Sequence, residues 1–489
     1  MSFQKNKFTL ILVIFFVLRH GYAQNITPYS VPEEFASAYY EVTVNGQSVA
    51  VFHAGLNVYF AGFDFTGNAK VSVTARYEKS GYSGETANKN VIKVDETGYW
   101  GTDPIVRPVS KNIQLKPGGK TVEMTPIQAG QYSVERSGTS QFKDDVLFLF
   151  ANRPETSRPR PADPKVIYLK AGIHQQHIDL KSNQTLYIEA GAVLFGSINI
   201  WDAKNVRIMG RGTVVYYGPQ SELFDFGWKN QKNWHPLTTR NVQGLTVGGI
   251  TFVGRSRTWS IQMHTTFDAV FDNVKVIAVN PQNMNGDGFD WYGGGRTKIT
   301  NSLVRSMDDC FAFFTPNSSL DMWAMAKNTD GEVKDILIEN CVLWSSLANV
   351  YRVGFNGQAL RTDNIVMKNS DIIHISKGEW HAPNSVICAV SPNNKGKAFH
   401  ANFRFEHVRF EEPAALLGLQ NEEAQFRNIV FKNITMNGEP VPSLVKSTVA
   451  NLTFENVILN GKLVTEKAGV PFKLITKEIK NLAFFPGNK

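Results

Sequence analysis

The chain has 489 residues, of which 42% are hydrophobic and 12% aromatic, and its formal net charge is +8. This length exceeds one ordinary compact core, so we expect two domains or a repeat architecture. Lysine and arginine form no dense run, which argues against nucleic acid as a partner. The abundance of glycine and aromatic residues is typical of a β-rich globular protein.

The first 23 residues have the pattern of a cleaved secretory signal. Lys5 and Lys7 precede an 11-residue apolar run from Phe8 to Leu18, and small residues follow before the expected cleavage point. The run is too short to span a bilayer comfortably, so no membrane insertion is expected. The sequence predicts a secreted or periplasmic protein, and we expect a monomer.

Three cysteines are present, Cys310, Cys341 and Cys388, and they form no CxxC motif and no zinc-type spacing with histidine. An odd number cannot be fully paired within one chain. We interpret them as small buried residues, with one disulfide among them left open. No metal and no cofactor is predicted.

Residues 24–152 consist of short alternating segments separated by turns. Glu41–Val44 and Ser48–Phe52, for example, flank an Asn45-Gly46 hairpin turn. This pattern is typical of a β-sandwich. Residues 153–164 contain four prolines and no apolar periodicity, which indicates a linker.

Residues 165–489 repeat a strand–turn unit with glycine, asparagine or, once, histidine at one fixed place, at intervals of 21 to 39 residues. Such a period predicts a solenoid, in which each coil buries its apolar face by stacking on the next. The recurrent asparagine suits a bend between strands, where its amide can stack on the next coil's asparagine. We therefore predict an all-β protein, an N-terminal β-sandwich followed by a right-handed parallel β-helix; the repeats are too short for propeller blades. The anchor positions are Gly191, Gly212, Gly249, Asn273, Asn301, Asn340, Asn369, His407, Asn433 and Asn456.

Two acidic motifs lie one repeat apart. Asp287 belongs to an Asn-Gly-Asp-Gly stretch, and Asp308 and Asp309 follow after 21 residues. Because adjacent strands lie about 4.8 Å apart, one coil between the motifs would bring three carboxylates into one site. Clustered like charges let one carboxyl stay protonated while its neighbours are ionised, as acid–base cleavage of a glycosidic bond requires. Asp290 has the opposite parity to Asp287 on an ideal strand and is a weaker candidate.

The combination of Asn285-x-Asp287-Gly288 with the Asp308-Asp309 pair resembles the polygalacturonase-type glycoside hydrolases of family 28. That family continues with a Gly-His-Gly segment and an Arg-x-Lys that binds the uronate carboxylate. Here the corresponding stretch runs from Asn349 to Gly354 and contains no histidine, and no convincing Arg-x-Lys follows.

The chain resembles more closely the dextranase and isopullulanase family, family 49. Members of that family have an N-terminal β-sandwich, a connecting segment and a β-helix that carries three aspartates. Asp287–Tyr292, Asp308-Asp309, Val353-Gly354 and Ile373–Ile375 are similar to its motifs in order and spacing. The resemblance covers the mature chain in architecture and about residues 248–380 in motif detail.

The resemblance implies that Asp308 is the general acid and that Asp287 and Asp309 hold and deprotonate the attacking water. Inversion by such a pair requires an acid–base separation of roughly 6.5–9.5 Å, which side chains one coil apart and offset laterally could supply. The expected function is metal-free, inverting hydrolysis of an α-glucan such as dextran or pullulan. A polygalacturonase-like hydrolase of pectin or another acidic polysaccharide is the alternative, and a non-catalytic glycan-binding β-helix is an alternative of a different class.

Candidate substrate-binding residues are aromatic or polar side chains in the coils that flank the aspartates. Sugars stack on aromatic faces and are fixed by side-chain hydrogen bonds. Arg352 interrupts an otherwise apolar strand and could instead pair with one of the aspartates, and a structural role remains open for His374, which lies between isoleucines. The candidates are Trp259, Gln262, Trp291, Tyr292, Arg352, His374 and Trp380, with His264 beside them.

Overall fold

The computed structural model describes residues 25–56, 58–76, 104–136, 146–217, 232–255, 258–279, 285–314, 332–354, 361–376, 378–380, 382–389 and 398–487. The predicted signal sequence lies outside these ranges. Strands dominate, with short 3-10 turns at Glu33–Phe35, Val109–Lys111 and Lys467–Gly469. Within the described ranges, no helix has the length and apolar character needed to cross a membrane.

The N-terminal part is a β-sandwich, as predicted. One sheet has the order β1-β5-β11-β10-β7 with β4 beside β5, and the other has the order β3-β2-β6-β9-β8. Their facing side chains form one apolar core. The strands are β1 (Ile26–Pro28), β2 (Tyr40–Val44), β3 (Gln47–Val49), β4 (Val51–Gly55), β5 (Val58–Phe65), β6 (Ala69–Ala75), β7 (Ile105–Arg107), β8 (Gln114–Gly118), β9 (Thr121–Ile127), β10 (Gly130–Glu135) and β11 (Val146–Asn152).

The parallel neighbours β5 and β11 are buried along their whole length. Alternate residues such as Phe63 and Leu149 point into the sandwich core. The residues between them, such as Phe60 and Phe148, pack against the second half of the chain. Because both faces of β5 are buried, its sequence shows no polar alternation, and the sequence analysis did not identify it.

The second half of the chain is a parallel β-helix, also as predicted, whose strands form one continuous 29-stranded sheet. β31 and β32 form a separate two-stranded antiparallel hairpin. The strands are β12 (Val166–Leu169), β13 (Gly172–Gln175), β14 (Ile178–Leu180), β15 (Thr185–Ile188), β16 (Ala192–Phe195), β17 (Ile198–Gly210), β18 (Thr213–Tyr216), β19 (Leu237–Gly248), β20 (Thr251–Gly254), β21 (Ile261–Asp272), β22 (Lys275–Ala278), β23 (Phe289–Thr300), β24 (Leu303–Ser306), β25 (Phe311–Phe314), β26 (Glu332–Glu339), β27 (Val342–Ser345), β28 (Tyr351–Val353), β29 (Arg361–Lys368), β30 (Asp371–Ile375), β31 (Glu379–Trp380), β32 (Ala382–Pro383), β33 (Ser385–Ala389), β34 (Phe399–Glu406), β35 (Arg409–Phe410), β36 (Ala415–Leu419), β37 (Gln425–Met436), β38 (Ser443–Val445), β39 (Thr448–Leu459), β40 (Lys462–Leu463), β41 (Phe472–Ile475) and β42 (Ile479–Phe485).

Two faces of the β-helix matter for function. The face formed by β16, β18, β20, β22, β24, β27 and β30 packs against β5 and β11, and we call it the sandwich face. The face formed by the first halves of β19, β21 and β23 and by β25, β28 and β33 we call the site face. The turns that join the sandwich face to the site face carry the predicted aspartates.

The recurrent asparagines lie at bends, as the repeat predicts. Asn433 and Asn456 have φ values of 53° and 50°, in the left-handed region that asparagine tolerates better than most residues. Asn456 Nδ2 donates to Asn433 Oδ1 at 2.8 Å, and Asn433 Nδ2 lies 3.1 Å from the ring of His407. A second ladder, which the sequence analysis did not identify, links Asn402, Asn428 and Asn451.

The segment predicted as a linker, residues 153–164, forms no strand. It lies against the β-helix, because the Tyr187 hydroxyl donates to a Glu155 oxygen at 2.9 Å. Nearby, Arg211 pairs with Asp64 at 2.9 Å and donates to the Arg153 carbonyl. These bonds join the first strands of the β-helix to the sandwich.

The structure places His374, a predicted substrate-binding residue, at the interface between the β-helix and the sandwich, where its side chain is buried. Its Nε2 lies 2.8 Å from Glu135 of the sandwich and its Nδ1 lies 2.9 Å from Glu412. The side chain is 2% exposed. Burial would lower the pKa of His374, but Glu135 and Glu412 raise it to about 9. Arg107 adds bonds to Glu135 and, at 2.6 Å, to Glu411.

The raised pKa of His374 predicts a loss of stability in alkali. The folded protein keeps the proton up to about pH 9, whereas the unfolded chain releases it near 6.5. The stabilisation is therefore complete below pH 6.5 and is lost as the pH rises through about 9. We expect the melting temperature to fall over this window, and His374→Gln to lower it at pH 6.5 and flatten the slope. The half-exposed His174, changed to Gln, is the control; equal slopes in all three proteins would contradict the assignment.

Candidate active site

The predicted aspartates lie on stacked turns. Asp287 stands two residues before β23, and Asp309 stands two residues before β25. Phe289 pairs with Phe311 in register, and the Gly288 amide donates to the Asp309 carbonyl at 2.9 Å. The 21-residue spacing therefore corresponds to one coil.

Four carboxyl groups meet there, those of Asp287, Asp290, Asp308 and Asp309, and we call them the carboxylate cluster. Oxygens of Asp287, Asp308 and Asp309 all lie within 4.8 Å of one another. Asp308 is partly exposed and the other three are buried. The separation of roughly 6.5–9.5 Å expected between the acid and the base of an inverting enzyme is therefore not found between these three oxygens. The turns stack in register without a lateral offset, which brings the carboxyl groups closer together.

Asp309 is fixed by the coil that follows. Its Oδ1 accepts hydrogen bonds from the Asn349 backbone amide at 3.0 Å and from Asn349 Nδ2 at 2.7 Å. Its Oδ2 lies 3.2 Å from Nε of the buried Arg352. Asn349 is oriented in turn by the Ser385 amide, which donates to its Oδ1 at 2.9 Å. Arg352 thus lies at the cluster and pairs with an aspartate, which was one of the two roles that the sequence allowed for it. Asn349 is a residue of the site that the sequence did not predict.

Burial and like charge together keep protons in the cluster. Burial and then the charge of Asp309 raise the pKa of Asp308 to about 6, against the opposing effect of Arg352. Burial raises the pKa of Asp287 well above its usual value, and Asp290, Asp308 and Asp309 add to this. The cluster therefore offers a partly exposed carboxyl that is protonated in mildly acidic solution, next to buried carboxyl groups.

The structure brings Asp290, the weaker candidate from its parity, next to the other three carboxyl groups. Opposite parity would hold on a strand that includes Asp287, but β23 begins at Phe289 and Asp287 lies in the preceding turn. Gly288 marks that turn: a Cβ there would lie 2.5 Å from the Cys310 carbonyl oxygen and 2.5 Å from Val304. Gly288 is therefore the residue in the sequence that indicates this turn and the start of β23 after it.

The aromatic candidates divide between the site face and the core. Trp259 is partly exposed and stacks on Phe314 at 5.6 Å, and Tyr292 stacks on Phe314 at 5.1 Å. Gln262 is buried and in register with Asp290, and His264 is in register with Tyr292. Trp259, Gln262 and Tyr292 therefore lie beside the cluster, and Trp259 presents the accessible ring.

Trp291 and Trp380 do not join this group. Trp291 is 0% exposed and points into the β-helix core, between Phe289 at 5.9 Å and Phe313 at 5.2 Å. Trp291, a predicted substrate-binding residue, therefore has no exposed face, because alternate residues of β23 point into the core. Trp380 belongs to strand β31, and its side chain lies outside the described residues.

All three cysteines are buried and free, which closes the possibility of a disulfide among them. Burial raises the pKa of each thiol to about 12. Cys388 is in register with Arg352 on the site face, and Cys310 follows Asp309. They act as small packing residues, as the sequence analysis interpreted them.

The fold is similar to that of Dex49A from Penicillium minioluteum, at 15% identity, with 94% of this chain and 96% of that chain covered and a TM-score of 0.62. This likeness confirms the resemblance in architecture to family 49. The similarity is lower to an exopolygalacturonase from Thermotoga maritima (13% identity, 61% of this chain and 85% of that chain covered, TM-score 0.46) and to a family 28 exopolygalacturonase from Yersinia enterocolitica (14% identity, 96% and 96% covered, TM-score 0.43). No family model and no curated protein matches the sequence.

The pairing of Arg352 with Asp309 predicts a large loss of stability when the cation alone is removed. Breaking a buried pair leaves an uncompensated charge, at a cost of about 3–5 kcal/mol. Arg352→Met should lower the free energy of unfolding in urea by about that amount, and the double variant with Asp309→Asn should recover much of it.

The half-exposed pair of Arg404 and Glu406, 3.1 Å apart, provides the matched control. Arg404→Met should cost only about 0–1 kcal/mol. A cost for Arg352→Met no larger than this control, or no recovery in the double variant, would contradict the buried pairing.

Proposed function

We propose that the protein is a glycoside hydrolase that cleaves a polysaccharide at the carboxylate cluster. The observation that carries this proposal is the grouping of Asp287, Asp308 and Asp309 within 4.8 Å, with the partly exposed Asp308 having a pKa of about 6. A proton donor beside carboxylates is the equipment that glycosidic cleavage needs. The leader pattern of residues 1–23 supports export, so we place the substrate outside the cytoplasm.

In the proposed mechanism Asp308 donates its proton to the glycosidic oxygen while the bond from that oxygen to the anomeric carbon breaks. A water molecule held by Asp287 and Asp309 attacks the anomeric carbon from the opposite face. Two oxygens within 4.8 Å can hold one water between them, because each hydrogen bond is about 2.7–2.8 Å long. The water's proton passes to one of these carboxylates, and the product has the inverted configuration.

A neutral α-glucan such as dextran or pullulan is the proposed substrate. The architectural resemblance to family 49 supports this choice. Among the described residues, the cation that acts on the cluster is Arg352, and it already pairs with Asp309. A uronate polymer would call for a cation available to its own carboxylate. Trp259 is the proposed stacking surface for a sugar ring.

The test measures reducing-sugar release from dextran, pullulan, polygalacturonate and sulfated galactan by the wild type and by Asp287→Asn, Asp308→Asn and Asp309→Asn. We expect hydrolysis of an α-glucan, with activity falling as the pH rises through about 6, where Asp308 loses its proton. Each variant should lose at least about 10²-fold in kcat, the lower end for a general acid or base.

Stability measurements separate loss of chemistry from loss of fold. Asp308→Asn should be at least as stable as the wild type at pH 7, because it removes a partly exposed negative charge that lies beside other carboxylates. Asp272→Asn, at the end of β21 away from the cluster, should leave kcat unchanged. Activity on polygalacturonate alone would overturn the substrate proposal. Binding of a glycan without release of sugar would favour a non-catalytic β-helix.

A further inference from the structure

Arg305 is a buried cation in the apolar interface between the sandwich and the β-helix. It is 4% exposed and lies on β24 of the sandwich face, in register with Ile277 of β22 on one side and Trp344 of β27 on the other. Ile277 and Trp344 belong to the apolar cluster that joins the two halves of the chain. The side chains in register with Arg305 on both neighbouring strands therefore offer no negative charge.

The contacts of the Arg305 side chain leave its charge without a counter-charge. Nη1 donates to the Ala278 carbonyl and lies 3.6 Å from Sδ of Met307. The guanidinium carbon lies 5.4 Å from the centre of the Trp344 ring. Within the described part of the chain, Nε has no hydrogen-bond partner and no carboxylate pairs with the guanidinium. The carbonyl, the thioether and the ring are all uncharged.

The indole of Trp344 supplies a second buried donor beside Arg305. Trp344 is 1% exposed, and its Nε1 has no hydrogen-bond partner among the described residues. The ring itself is well packed, with Phe148 at 5.9 Å and His374 at 4.0 Å between ring centres. Most buried N–H groups in folded proteins have an acceptor. Two N–H donors on neighbouring strands thus lack an acceptor at one place in the interface.

A guanidinium in such surroundings needs a negative partner. Burial lowers the pKa of Arg305 to about 10, so the group is still charged at neutral pH. Buried charges in proteins are paired, because an uncompensated charge in an apolar environment strongly opposes folding. The other buried arginine of the described residues, Arg352, follows this rule, since it pairs with Asp309 at 3.2 Å. For Arg305 the partner has to come from solution.

We propose that Arg305 and Trp344 form a binding site for a small monovalent anion such as chloride. One such ion balances the single charge of the guanidinium and accepts hydrogen bonds from both N–H groups. The site adjoins the turn of Asp308, because Met307 contacts Nη1 and donates its backbone amide to the Gly286 carbonyl at 2.9 Å. Binding would stabilise the interface and this turn. The inference goes beyond the proposed function, and its test needs no substrate.

The experiment measures the melting temperature of the protein in mixtures of potassium chloride and potassium gluconate at constant ionic strength. A ligand of the folded state alone raises this temperature with its concentration. We expect a rise of about 1–3 °C for each tenfold increase in chloride above its dissociation constant. Arg305→Met should lose this rise, and in gluconate it should be at least as stable as the wild type, because it removes the uncompensated charge. Trp344→Phe keeps an aromatic ring without the N–H and should need several-fold more chloride.

Arg211→Met is the matched control, since Arg211 also lies at the interface but pairs with Asp64 at 2.9 Å. It should melt at a lower temperature in both salts and keep the chloride response. The inference would be overturned by a wild type that melts equally in both salts, or by failure of Arg305→Met to fold in gluconate. A response equal to that of the wild type in Arg305→Met or in Trp344→Phe would also overturn it.

Crystals grown in bromide give an independent measurement, because bromide replaces chloride and scatters anomalously. An anomalous peak within hydrogen-bond distance of Arg305 Nε and Trp344 Nε1 would support the site. Bromide peaks confined to the protein surface would contradict it. Neither result bears on hydrolysis, so failure of this inference and failure of the proposed function are distinguishable.

Discussion

The molecule depends on the in-register parallel pairing of successive coils. Phe289, Phe311 and Tyr351 are partners on three neighbouring strands, and this register stacks the turns that precede them. Segments separated by 22 or 40 residues in the chain become neighbours one strand apart. The core side chains that set the register point inward, and the turns that carry Asp287 and Asp309 are placed as a consequence. A slip of one residue would move the inward set outward and dismantle the core and the cluster together.

This arrangement concentrates negative charge in a buried place, which opposes folding. Two contributions offset this cost. In the next coil, Asn349 and Arg352 bind Asp309, and protons retained by the cluster reduce its negative charge. The sandwich contributes at a distance. It covers the face adjacent to the aspartate-bearing turns, with Phe148 against Trp344 at 5.9 Å and Glu135 against His374. The interface thus supports the rigid strands from which the site is built.

The repeat, the sandwich and the coil between the aspartates could be predicted from the sequence, because asparagine bends and alternating strands leave local signals. Three features could not. His374 lies between isoleucines and looks the same in a sequence whether it meets a sugar or Glu135. Trp291 faces inward because β23 starts at Phe289, and the same boundary brings Asp290 into the cluster; strand boundaries are set by turns and tertiary packing. The strand from Val58 to Phe65 is buried on both sides by two different partners, so its pattern resembles no half-exposed strand.

The central claim is that a water held between Asp287 and Asp309, and not a carboxylate oxygen, attacks the anomeric carbon. The most direct test is proton NMR of the hydrolysis of the polysaccharide that the protein cleaves. The spectra of the first products are recorded before the released sugars mutarotate. The nearest oxygens, within 4.8 Å, are closer than the roughly 6.5–9.5 Å usually associated with inversion, so the outcome is informative. From an α-linked glucan the account predicts that the β-anomer signal appears first. Initial appearance of the α-anomer would mean retention through a covalent intermediate and would contradict the account.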